Sequence, residues 1–144
     1  MLTVAACLLV TLAASPMPAV SPSPAVEEPH VEYWIGAVRA HPLQLVRKNA
    51  ARILGTLGNS AAVPSLIEAL RDSYSGVREE AARSLGLLGN EQALTPLAET
   101  YQRDSDALVR KTARDAMERI RARQEFLRKK EEEAHADAKP AEKK

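Results

Sequence analysis

The chain has 144 residues, 45% of them apolar and 27% charged, and its 20 basic and 19 acidic side chains leave a formal net charge of +1. That size and balance fit one small globular unit with flexible ends, and they exclude a global field that would draw the chain to nucleic acid or an anionic membrane. A single cysteine, Cys7, excludes a disulfide framework and a cysteine-ligated metal centre within one chain.

Residues 1–14 are apolar from Leu2 to Ala14 except for Thr3 and Thr11, which is the length of a signal-peptide core and too short for a membrane-spanning helix. Thr11-Leu12-Ala13 offers small residues at a cleavage site, but no Lys or Arg precedes the core. Val4-Ala5-Ala6-Cys7 resembles a lipoprotein box, a form that requires a start upstream of Met1. An export signal therefore predicts an extracytoplasmic protein, secreted, periplasmic or anchored. The alternative is a disordered apolar tail on a cytoplasmic one. Residues 15–29 carry prolines at 16, 18, 22, 24 and 29 and predict an extended spacer with no packed structure.

A repeat begins beyond this spacer. Val46-Arg-Lys-Asn-Ala-Ala-Arg-Ile-Leu-Gly-Thr-Leu-Gly-Asn59 returns 31 residues later as Val77-Arg-Glu-Glu-Ala-Ala-Arg-Ser-Leu-Gly-Leu-Leu-Gly-Asn90, and 13 of the 25 positions from 46 to 70 match. A third copy opens at Val109-Arg-Lys-Thr-Ala113, offset by 32. Such a period is the signature of a stacked array. Within each copy Val46, Ala50, Ile53, Leu54 and Leu57 fall on one helical face, and Gly58 and Gly89 stand where a helix ends through a left-handed residue. Leu66, Ile67 and Leu70, then Leu97 and Tyr101, mark a second helix with Pro64 and Pro96 near its start. Gly55 and Gly86 lie inside the first helix at a cost of about 1 kcal/mol each relative to alanine, which close approach of a neighbouring helix would offset. Aligned backwards, Trp34, Ile35 and Val38 occupy the positions of Leu66, Ile67 and Leu70, so residues 31–38 form the second helix of a leading half-repeat.

V-R-x-x-A-A-R-x-L-G-x-L-G followed by A-V-P-x-L resembles the HEAT repeat, in the short form of proteins related to phycobilin lyases, from about Val31 to Ile120. The resemblance implies an all-α, short right-handed α-solenoid of antiparallel helix pairs within a repeat domain spanning 30–130. It implies nothing definite about activity, since the repeat serves scaffolds, adaptors, lyases and nucleic-acid enzymes alike. It also implies a polar ladder in which an acid before each unit meets the arginine after the leading valine. Asp72 precedes Arg78 and Asp104 precedes Arg110, whereas His41 stands before Arg47. In the third copy Glu118 and Arg121 replace the two glycines, so the helix is expected to run on from about Asp106 to Glu133. Residues 131–144 read as a charged tail, disordered from Ala134 onward.

No arrangement of residues points to a reaction centre. His30, His41 and His135 stand apart without metal-ligand spacing, Glu68 and Glu99 read as a solvated repeat face, and no phosphate loop follows Gly55 or Gly58. The expectation is a non-enzymatic module without cofactor or metal that binds another protein. Ser65, Glu68, Arg71, Pro96, Glu99, Gln102 and Arg103 are the candidate contact residues on the concave surface of stacked second helices. Membrane attachment enters only through the N-terminal segment. Two alternatives stand beside it. Residues 103–130 hold ten basic side chains against five acidic ones, which suits a nucleic-acid or anionic surface, but acids interleave and Phe126 is the only aromatic there. The family resemblance also allows a lyase-like accessory role.

Overall fold

The computed structural model describes residues 31–138. The apolar segment, Cys7, the proline-rich stretch and His30 lie outside the described residues. Six helices follow one another: α1 Val31–Ala40, α2 Gln44–Leu57, α3 Val63–Ala69, α4 Ser75–Leu88, α5 Leu94–Arg103 and α6 Ala107–Ala138. There is no strand among the described residues. The closest antiparallel pairs are α1 with α2, α3 with α4 and α5 with α6, so the packed hairpin joins the second helix of one sequence repeat to the first of the next. The leading half-repeat thereby completes the first of three hairpins. In the stack α2, α4 and α6 form one row, and α1 and α3 lead the other.

The helix ends follow from the repeated residues. α2 and α4 stop at Gly58 and Gly89, whose φ of 69° and 70° puts them in the left-handed region that glycine enters without penalty. Asn59 and Asn90 then accept a hydrogen bond from the backbone N–H two residues on, at 2.9 Å in each case, opening the single 3-10 turn that leads into α3 and α5. In the third copy no glycine stops the helix, and α6 runs for 32 residues. It outlasts the expected end at Glu133, and residues 131–138, assigned from sequence to a charged tail, are helical. Exposed pairs one turn apart, Lys129 with Glu125 and Arg128 with Glu132, favour the helical form of the stretch that leads into this segment.

Leu54, Leu66, Leu85, Leu97 and Ile120 are fully buried, and Val77 and Val109 join them from the first turns of α4 and α6. Alanines 50, 51, 81, 82 and 113 have no exposed surface, which lets the helices of the first row approach closely. The interior glycines complete that approach. A Cβ on Gly55 would lie 2.6 Å from the Ser84 Cβ and 2.9 Å from its Cα, and one on Gly86 would lie 2.9 Å from the Ala116 Cα. The interlock is a glycine of one hairpin against a small residue of the next, and the Ser84 hydroxyl also donates to the Ala51 carbonyl at 2.8 Å. Helix propensity is given up here to gain contact between backbones.

A polar ladder runs beside this spine. The Arg47 guanidinium donates to both carboxylate oxygens of Asp72 at 2.7 and 2.9 Å and to the carbonyls of His41 and Pro42. Arg78 repeats the pattern one hairpin later with Asp104 and the carbonyls of Asp72 and Ser73. Each arginine thus reaches forward to the acid of the following loop. The sequence expectation had each acid serving the arginine just after it, which left Arg47 without a partner. Arg47 is paired after all, because the loop before it contributes only backbone carbonyls, which any residue supplies. Both pairs are mostly buried, with side-chain exposures of 6% to 14%.

Candidate functional site

The surface carried by α1, α3 and α5 holds a second ion-pair series. Arg39 donates to both oxygens of Glu68 at 2.7 and 2.6 Å, and Arg71 stands 3.7 Å from Glu99. Arg39, Arg71 and Arg103 are spaced 32 residues apart near the ends of successive helices, and Arg71 and Arg103 wall the same side of the molecule between α3 and α5. All these side chains are about half exposed or more, and the pairs fix a charge pattern rather than a core. Hydrogen bonds from Arg39 hold the Glu68 carboxyl below its usual range, so Glu68 stays charged. Glu68 and Glu99 therefore alternate with arginines instead of forming a carboxylate pair suited to proton transfer. Between α3 and α5 lies a groove of about 320 Å³ walled by Ile67, Leu70, Arg71, Pro96, Glu99 and Arg103.

Of the contact residues proposed from sequence, Glu68, Arg71, Glu99, Gln102 and Arg103 are exposed along this row. Pro96 is half-buried at the edge of the groove. Ser65 is buried, with 3% of its surface exposed, and does not belong to the contact set. Its position faces the preceding hairpin, where it borders Val38 and Arg39, and a small side chain there lets α3 settle against α1. Arg39 was missed because the short leading half-repeat hides its register. The common spacing of 32 residues among Arg39, Arg71 and Arg103 is the signal that finds it.

The remaining candidates are dispersed. On α6 three members of the basic patch are paired with acids one turn away, Arg114 with Glu118, Lys129 with Glu125 and Arg128 with Glu132. No group of three or more metal-ligating side chains occurs among the described residues. His41 uses Nδ1 to accept from the Leu43 N–H at 3.1 Å, the same turn that the Asp72 and Asp104 carboxylates make with Tyr74 and Asp106. Trp34, aligned from sequence with the core position Leu66, is half-buried against the core and meets Tyr33 edge-on at 4.9 Å. Beside them an open groove of about 460 Å³ is lined by Tyr33, Gly36, Ala37, Ala40 and Pro42.

A family model described as HEAT repeats matches residues 31–118. None of the curated proteins matches the sequence. Among solved structures, the complex of CpcE and CpcF of phycocyanin lyase from Nostoc sp. PCC7120 is similar at 34% identity and a TM-score of 0.57, over 72% of this chain and 42% of that one. Human deoxyhypusine hydroxylase in complex with glycerol shares the fold at 24% identity and a TM-score of 0.52, over 76% of this chain and 50% of that one. The chain thus spans half or less of the length of these solved chains. With repeat motif, stacked hairpins and family match agreeing, the chain belongs to the HEAT-repeat family and within it is similar to the phycocyanin-lyase type.

Proposed function

We propose that this protein is a non-enzymatic binding module that recognises another protein through the row formed by α1, α3 and α5. The observation that carries this reading is the alternating series Arg39, Glu68, Arg71, Glu99 and Arg103 on an exposed face bordered by a groove. Charged side chains held in fixed order give selectivity and encounter rate to a protein interface. The similar lyase structure is itself a complex of two proteins, which supports a protein partner here. On the sequence of residues 1–29 the same reading places the module outside the cytoplasm, attached through its N-terminal segment. Photo-crosslinking residues placed at Glu99 and Gln102 should capture a partner in cells, while the same groups at Leu87 and Asp115 on the other row should not. Capture from Leu87 and Asp115 alone would overturn the reading.

A lyase-like accessory role is the second reading, favoured by the similarity to phycocyanin lyase and by the apolar groove at Tyr33 and Gly36, whose size lies in the range of ligand sites. A tetrapyrrole that co-purifies with the chain, and is lost in Gly36→Trp, would support it. Absence of binding when free bilin is titrated against the chain would reject it.

A further inference from the structure

Both ion-pair series run in one direction, and both end at the same place. In each, an arginine of one hairpin reaches the acid of the next: Arg47 to Asp72 and Arg78 to Asp104 inside, Arg39 to Glu68 and Arg71 to Glu99 outside. The third hairpin repeats the arginines as Arg103 and Arg110, and no acid pairs with either among the described residues. Arg110 makes the same backbone contacts as its equivalents, donating from Nη1 to the carbonyls of Asp104 and Ser105 at 2.7 and 3.1 Å. It is therefore held in the ladder conformation, with Nε and Nη2, the atoms that in Arg47 and Arg78 meet the next acid, left over.

The opposite end of the stack lacks the matching acids. Gly36 stands where Glu68 stands one hairpin later, and His41 where Asp72 stands. His41 keeps the local turn without the carboxylate. Tyr33, 65% exposed, replaces the small Ser65. A second copy of this chain thus cannot complete the ladder head to tail. The outward face of α6 also lacks the close-approach glycine of its predecessors, because Glu118 stands where Gly55 and Gly86 admit the next helix.

We infer that the C-terminal end of the stack docks an α-helical partner protein that presents a glutamate near the end of a helix and an aspartate in the following loop to Arg103 and Arg110. The inference rests on the protein-binding reading above and specifies its partner. Glu68 with Asp72 and Glu99 with Asp104 define the spacing required, four or five residues. A phosphate backbone is the poorer match, since the carboxylates of Glu99, Asp104 and Asp106 lie within four residues of Arg103 or Arg110. A bidentate carboxylate contact matches the arginine fork already used twice within the fold.

The test uses the chain itself as probe. The variant Tyr33→Ser, Gly36→Glu, His41→Asp copies the edge of the second hairpin onto the first. Titrated unlabelled into isotope-labelled wild type, it should shift the side-chain Nε–H signals of Arg103 and Arg110 in NMR spectra, with dissociation at least tenfold tighter than for unlabelled wild type. Backbone amides of residues 99–111 should shift in the same titration, and should not shift in labelled Arg103→Gln, Arg110→Gln protein, which keeps its dispersed spectrum. No shift at millimolar probe, or shifts confined to residues 121–130, would overturn the inference. So would equal shifts with a 12-residue single-stranded oligonucleotide, which would assign the arginines to nucleic acid. Should crosslinks from Glu99 and Gln102 persist undiminished in the Arg103→Gln, Arg110→Gln chain, the end-docking inference fails while the module reading stands.

Discussion

The molecule contains two arginine-acid series built on the same period, and they differ in where they lie. Arg47 with Asp72 and Arg78 with Asp104 are at most 14% exposed, and each arginine also ties down two loop carbonyls. Arg39 with Glu68 and Arg71 with Glu99 are 47% to 83% exposed and bond to nothing else. Water screens the outer pairs and leaves their side chains free to exchange partners, whereas an inner pair broken on one side strands a charge in a dry place. One series sets the spacing of the hairpins. The other offers charge to a visitor at little cost to the fold.

Removing an inner acid is the severest way to break this contrast. Asp104→Ala leaves Arg78 unpaired and also deletes the acceptor for the Asp106 N–H, and should lower unfolding free energy by about 3 kcal/mol in denaturant titration. Gly86→Ala attacks the spine instead. The added methyl meets backbone of α6, and overpacking of about 1 to 3 kcal/mol should exceed the gain of about 1 kcal/mol in helix propensity. Gly36→Ala is its control, with nothing within 4 Å of the new methyl, and should stabilise by up to about 1 kcal/mol.

Acid separates the series further. Hydrogen bonds from Arg78, opposed by burial and aided by the Asp106 N–H, hold the Asp104 carboxyl below its ordinary 3.8. At Asp72 burial is the largest influence and acts upward, but Arg47, the Tyr74 N–H and nearby Arg78 together carry the net shift down. A carboxyl with a lowered folded value stabilises fully above its unfolded value, and that contribution is lost as pH falls through the folded one. Stability should therefore decline from about pH 4 downward, and Asp104→Asn should flatten the decline. The smallest effect belongs to the outer series: Glu99→Gln should change stability by less than about 0.5 kcal/mol and show itself in partner binding alone.

Much of this was legible in the residues. Gly58 and Gly89 announced the helix stops, the period announced the stack, and Glu118 and Arg121 announced a helix that runs on. Other features needed coordinates. The direction of the inner ladder depends on which loop folds over which arginine, and the sequence order of Asp72 and Arg78 suggests the wrong partner. Ser65 read as exposed because its helix face was inferred from a two-helix unit, while the packed unit is the hairpin across the linker, which turns that position toward α1. Residues 131–135 are exposed, and the helix that continues through them carries no apolar periodicity to announce it.

The claim that the inner series holds the hairpins together while the outer one serves recognition is tested most directly by two double-mutant cycles. Coupling is measured by denaturant unfolding for Arg78 with Asp104 and for Arg71 with Glu99. A coupling of about 1.5 kcal/mol or more in the first cycle and less than about 0.5 kcal/mol in the second is expected. Equal couplings, or a larger one between Arg71 and Glu99, would contradict the division of roles.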